Sequence, residues 1–177
     1  INSGLAIDFV DSDSNFTDPY ARAGVSAHWA TEATYDYYLS QHNRNSYDNE
    51  GGRLISFVHF GDGFSNAFWT GWAAHYGDGR DNLWPWTALD MVAHEITHGV
   101  TQHSAGLCCP DEAGALNESF SDIFATAVEF FKLGDNGNWS IGEDIPRGGQ
   151  GFRYLSDPNY REHPDTYKGK YWIPYTE

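Results

Sequence analysis

Positive charge is scarce in this chain. Ten lysines and arginines face 25 aspartates and glutamates, a formal charge of −15 over 177 residues. Such a surface repels phosphate backbones and anionic lipid headgroups, so neither nucleic acid nor a membrane surface is expected as a partner. Long apolar runs are missing too: none approaches the roughly 20 residues that cross a bilayer. The chain opens on Ile1 rather than methionine and shows no basic, apolar leader. The expectation is a processed chain that is secreted and works outside the cell. Internal repeats, low-complexity tracts and linkers are absent, which argues against a division into independent domains.

Cysteine is nearly absent as well. The only two, Cys108 and Cys109, are neighbours and cannot form an ordinary long-loop staple with each other. A strained vicinal disulfide, a bond to another chain and free thiols all remain open. What the chain does have is 40% apolar and 16% aromatic residues, enough to build a core.

The most informative stretch is His94-Glu95-Ile96-Thr97-His98. Inside a helix, H-E-x-x-H puts two imidazoles one turn apart on a single face. Leu89, Val92, Ile96 and Val100 recur at helical spacing, Thr87 to Asp90 fits a capping box, and Gly99 and Gly106 sit near plausible ends, so a helix is expected over 88–104. Catalytic zinc takes three protein ligands at roughly 2.0–2.2 Å and leaves a fourth position to water, so two histidines need one more ligand. A second helix, expected over 112–132, supplies it. Leu116, Phe120, Ile123, Ala127 and Phe131 read as its buried stripe, while Glu118 and Asp122 lie four apart on another face. Glu118 then completes a His2Glu zinc set, Asp122 can accept the outer N–H of a ligating imidazole, and Glu95 is left free as a base.

Elsewhere, a first helix is expected over 19–42, with Val25, Trp29 and Ala33 leading to Tyr37 and Tyr38. Strands over 53–60 and 66–76 are expected to pair antiparallel across Gly61-Asp62-Gly63 and to roof the zinc site. From Gly134 onward, glycine, proline, aspartate and asparagine are dense, and largely irregular backbone organised by cations is expected, apart from short strand candidates near 152–155. The chain thus reads as α+β: a β-rich front over 1–85, a helical zinc-binding part over 86–133 and an irregular segment over 134–177, all one catalytic core. His28, His42, His59, His75, His103 and His163 lack ligand spacing and are read as surface or packed residues.

His94-Glu95-Ile96-Thr97-His98, followed by Asn117-Glu118-Ser119-Phe120-Ser121-Asp122 with Glu118 20 residues after His98, resembles the thermolysin family of secreted zinc metalloendopeptidases. The resemblance covers most of the chain: Ser65-Asn66-Ala67-Phe68-Trp69 looks like the family's substrate-binding edge strand and Tyr76-Gly77-Asp78-Gly79 like the turn after it. It implies a thermolysin-like zincin core holding one catalytic Zn2+ on His94, His98 and Glu118. Glu95 would be the general base for hydrolysis of internal bonds in protein or peptide substrates. Asn66 and Ala67 would bond an extended substrate backbone. Arg153 would contact the substrate carbonyl beyond the cut. Trp86, Met91, Ile141 and Phe152 would line an apolar pocket for the residue just after the cut (P1′), with Trp86 and Phe152 making it shallower.

The same resemblance implies structural Ca2+. Asp90, Glu129 and Glu143 match the main calcium site; Asn138 stands where many relatives carry aspartate and Ser140 offers only its carbonyl, so one ion is expected rather than a pair. Asp11 and Asp13 resemble a second calcium loop. Two departures matter. Cys109 falls where relatives carry a tyrosine that helps hold the oxyanion, and the histidine that assists it would lie beyond Glu177, in a chain that looks truncated at both ends. The alternative expectation is a processed zinc- and calcium-binding fragment, inactive without a separate chain carrying the C-terminal lobe.

Overall fold

The computed structural model describes residues 6–10, 15, 16, 18, 20–108 and 111–174. Asp11, Asp13 and Cys109 lie outside these residues.

Helix α1, Ala21–His42, is built on small side chains. Ala21, Ala23, Ala27, Ala30 and Ala33 are buried together with Thr34, Tyr37 and Tyr38, whereas Val25 and Trp29 are exposed. Alanine lets one backbone come close to another, and α1 packs against α2, Leu89–Gln102. Tyr38 closes that contact. Its Oη is 2.8 Å from Thr97 Oγ1, which itself donates to the Ala93 carbonyl at 2.7 Å, so Tyr38 is the donor.

Helix α2 is buried over nearly its whole length, with Val92, Ala93, Ile96 and Val100 in the core cluster. The expected capping box does not form. Ala88 is the N-cap residue and no side chain caps it; the Asp90 carboxylate accepts the Met91 N–H at 2.7 Å and the Gly142 N–H instead. Nor does Gly99 end the helix. It lies inside, where a Cβ would be 2.8 Å from the Trp69 ring.

Helix α3, Glu112–Leu133, turns its faces the opposite way from the sequence expectation. Ser121, Asp122, Ala125, Thr126, Val128 and Glu129 are buried. Leu116, Phe120, Ile123 and Phe131 are 49, 40, 48 and 41% exposed, and Ala127 is half-buried. The polar face wins the inside because its groups find partners on α2 and on the segment after α3, and an unpartnered buried polar group would cost more than an exposed apolar one.

The hairpin also differs from expectation. Residues 66–76 are themselves two strands, β2 (Ala67–Trp69) and β3 (Ala74–Tyr76), reversed at Thr70, whose N–H donates to the Ala73 carbonyl at 2.9 Å. Strand β1 (Ser56–Phe57) is parallel to β3, not antiparallel to its neighbour. The order β1-β3-β2 leaves β2 at an edge, facing α2. Beyond α3, a short pair of β4 (Ser140–Ile141) and β5 (Arg153–Tyr154) is the only regular pairing between named strands among the described residues, in keeping with the irregular backbone expected there. No helix among them is long and apolar enough to cross a membrane.

The turn after β3 is sterically tight. The Gly77 N–H donates to the Asn66 carbonyl and the Gly79 N–H to that of Phe64, and a Cβ on Gly77 would overlap the Phe64 carbonyl oxygen. Gly77→Ala is therefore expected to lower unfolding stability by ~3 kcal/mol. Gly148→Ala, where nothing lies within 4 Å, should stay within about 0.5 kcal/mol of the parent. Denaturant titration of both variants checks the pair.

Candidate active site

Helices α2 and α3 bring four of the expected residues together. His94 and His98 face one another with their Nε2 atoms 3.1 Å apart. Glu118 Oε2 is 3.2 Å from His94 Nε2, and its Oε1 is 3.6 Å from His98 Nε2. One donor atom from each lies within 4.8 Å of the others, the sole such cluster found among the described residues.

The outer ring nitrogens fix the rings. His94 Nδ1 donates to Asp122 Oδ1 at 2.8 Å, and His98 Nδ1 to Asn117 Oδ1 at 2.8 Å, with Ser121 Oγ 3.1 Å from the same nitrogen. Both imidazoles spend their protons outward, so two lone pairs and a carboxylate converge on one point. Only a proton or a cation can reconcile such a set. Two nitrogens and a carboxylate oxygen, braced from behind, are the donor set of a catalytic zinc site, and the residues fit that ion. Asp122 was expected; Asn117 and Ser121 were not assigned, although both stand within the quoted Asn117-to-Asp122 stretch.

Electrostatics follow the same geometry. Burial disfavours charge on His94, but the hydrogen bonds to Asp122 and Glu118 outweigh it and hold the ring up at about 9. His98, buried beside it, is pushed down by desolvation and by the His94 charge. Glu118 is lowered, first by its bond to His94. Burial raises Asp122, yet its bonds to His94 and Arg153 overcome this and leave it lowered. Arg153 grips that carboxylate with Nε at 2.5 Å and Nη2 at 2.6 Å.

Glu95 differs from its neighbours. It is buried, and one carboxylate oxygen has no partner. Burial, with the Glu118 charge adding to it and His94 opposing, raises it to about 7.

A cleft of about 840 Å³ opens over this group. Of the residues expected to meet substrate, Asn66, Ala67, Trp86, Met91, Phe152 and Arg153 line it. Ile141 does not: it is fully buried in the core cluster, so its side chain points away from the opening. Cys108 also lines the cleft.

The acidic group lies at the other end of α2 and α3. Asn138 Nδ2 donates to Glu129 Oε1 at 2.9 Å and to Glu143 Oε1 at 2.6 Å, and its Oδ1 accepts the Ser140 N–H at 2.7 Å. The expected oxygen ligand Asn138 thus presents nitrogen to the acids, because the turn toward β4 claims its oxygen. Glu129 Oε2 and Glu143 Oε2 are buried without a partner, which fits a hard cation among Asp90, Glu129 and Glu143. Burial raises Asp90 to about 7, with the Gly142 N–H opposing and Glu143 adding; burial, Glu143 and Asp90 raise Glu129 to about 7. Asp144, not foreseen from sequence, raises both further.

Comparison with known proteins agrees with this geometry. Residues 2–102 match the family model "Thermolysin metallopeptidase, catalytic domain", and residues 105–176 match "Thermolysin metallopeptidase, alpha-helical domain". The thermostable neutral protease NprT of Geobacillus stearothermophilus is 44% identical over 168 residues, covering 92% of this chain and 30% of that protein. A thermolysin of Alicyclobacillus acidocaldarius is 43% identical, covering 92% and 31%. In structure, the chain resembles the protealysin precursor, a metalloproteinase of Serratia proteamaculans, with a TM-score of 0.73 and 38% identity, covering 81% of this chain and 47% of the other. The chain therefore spans about a third of the length of the first two relatives.

Asp122→Asn keeps the shape and removes the charge that braces His94, and should weaken zinc binding 10–100-fold in competition with a chelator. In chelator, the metal-free chain has carboxyls at Asp90 and Glu129 raised to about 7 from ordinary values of 3.8 and 4.5. Between those limits the folded state binds more protons than the unfolded one, so stability falls as pH rises through 5 to 7. Thermal melts should show the metal-free chain melting lower at pH 7.5 than at pH 5.5, and millimolar Ca2+ restoring most of the loss at the higher pH.

Proposed function

Because the chain belongs to the thermolysin metallopeptidase family, we propose that it is the zinc-bearing part of a secreted endopeptidase that cuts internal peptide bonds. The observation that carries this reading is the convergence of His94 Nε2, His98 Nε2 and Glu118 at the base of the cleft, beside a buried carboxylate, Glu95, with one unpartnered oxygen. The thermolysin family uses catalytic zinc and structural calcium. Zinc held by those three residues would supply a Lewis acid and lower the pKa of water toward ~7.

The remaining steps fall to the chain's own side chains. Glu95, raised to about 7, is poised near neutrality and takes the proton of the attacking water. It then passes that proton to the leaving amine. Its unpartnered oxygen is the one left to the water. Substrate lies extended along the free edge of β2, where Asn66 and Ala67 bond to its backbone, a mode that tolerates almost any sequence. Arg153 is held by Asp122 at the rim and faces the substrate carbonyl beyond the cut. Trp86, Met91 and Phe152 form an apolar wall for the P1′ residue. The Asp90, Glu129 and Glu143 group takes a structural calcium, with Asn138 bracing two of its acids.

A specific observation favours a second reading as well. Leu116, Phe120, Ile123 and Phe131 form an exposed apolar stripe on α3; on this reading it is covered by further polypeptide, and the chain alone binds zinc and calcium but needs that cover to turn over. The two readings part on one experiment. An internally quenched, end-blocked peptide should be cleaved by the zinc-loaded chain, and a chelator should stop it. Glu95→Gln should keep one equivalent of zinc and lose about 10²–10⁴-fold in turnover. Normal turnover in that variant would refute the base role, and full zinc with no cleavage by the parent would favour the fragment.

A further inference from the structure

The cleft runs along one face of α2. Met91, His94, Glu95, His98 and Gln102 all line it, a helical spacing that carries this face about 16 Å from the first turn of the helix to its end. Gln102, the last residue of α2, lies one turn beyond His98. It is exposed and has no part in the metal-binding group.

Its carboxamide is nonetheless oriented. Trp69 Nε1 donates to Gln102 Oε1 at 3.0 Å. An indole N–H is a donor only, so the flipped amide would set two donors face to face. The indole itself is held in place. It lies over Gly99, where a Cβ would be 2.8 Å from the ring, and it meets Tyr47 edge to face with centroids 5.1 Å apart. Tyr47 meets His103 in the same way, and His103 Nδ1 donates to the Gly99 carbonyl at 3.0 Å. With Oε1 fixed on Trp69, Gln102 Nε2 is left over, and it makes no hydrogen bond with any described residue.

An amide donor thus stands on the wall of the cleft in want of an acceptor. A carboxylate is disfavoured there by the chain's charge of −15 and by the carbonyl end of α2. A lysine or arginine would bring only donors to a donor. A neutral carboxamide offers a carbonyl oxygen without charge.

We infer that Gln102 is a specificity residue whose Nε2 donates to the side-chain carbonyl of a glutamine or asparagine in the substrate, so that a carboxamide is preferred at one position of the bound peptide. This rests on the endopeptidase reading above and narrows it to a substrate class.

End-blocked peptides test it on the zinc-loaded chain, with Gln, Met or Lys placed in turn at each position on either side of the cut and the cut located by mass spectrometry. At one position kcat/KM for Gln should exceed that for Met, its apolar match in length, by about 3–10-fold. Gln102→Glu keeps an acceptor for Trp69 and removes the donor; it should abolish that preference and raise Lys relative to Gln about 10-fold at the same position. Gln102→Met, with neither donor nor amide acceptor, should also abolish the preference. If no position prefers Gln, or if the preference survives in either variant, the assignment is overturned. Dissociation constants of the same peptides for zinc-loaded Glu95→Gln protein, with and without Gln102→Glu, separate this role from the activity. If the parent cleaves nothing, but the Glu95→Gln protein binds the Gln peptide more tightly than the Met peptide and Gln102→Glu removes the difference, the activity of this chain fails and the donor role stands. If the Gln and Met peptides bind alike or not at all, the donor role fails.

Discussion

Everything in this structure depends on one desolvated seam between α2 and α3. Asp90, His94, Glu95, Asp122 and Glu129 are all buried there, in a chain that already carries −15. Charges taken out of water must be paired or they raise one another's energy. The seam meets this requirement in two ways. At the histidine end, imidazoles and Arg153 balance the acids and keep Glu118 and Asp122 lowered. At the other end, no described positive side chain bonds Asp90, Glu129 or Glu143, and Asn138 offers only an amide. The donors at one end suit a zinc ion, and those at the other suit a hard cation.

That requirement also explains the orientation of α3. A helix with two faces, one apolar and one carrying Glu118, Asp122 and Glu129, would ordinarily bury the apolar one. Here the partners of the polar groups lie on α2, so the apolar stripe is turned out. Periodicity reports which residues share a face, and Leu116, Phe120, Ile123 and Phe131 do share one. It does not report which face finds the better partner. Likewise, the inside of α1 is taken by alanines while Val25 and Trp29 are exposed, because close approach to α2 favours small side chains.

The site was more legible than the fold around it. His94, His98, Glu118 and Asp122 were readable because spacing on helices translates directly into geometry, and the two helices fall within a residue or two of their expected ends. The brace Asn117 was visible as a letter but not as a role, since only the packing of α3 on α2 brings its carboxamide to His98. Strand pairing was misread because 66–76 contains its own reversal at Thr70, and nothing in its apolar pattern separates one long strand from two short ones. Asn138 was read as an oxygen ligand, and only the turn into β4 shows that its oxygen is already taken.

X-ray absorption of the zinc-titrated chain is the most direct measurement. Binding should saturate at one equivalent, with two imidazole nitrogens and carboxylate and water oxygens at ~2.0–2.2 Å and no sulfur. A zinc–sulfur distance near 2.3 Å, which would place Cys108 or Cys109 on the metal, or saturation without imidazole ligands, would contradict a site built from His94, His98 and Glu118.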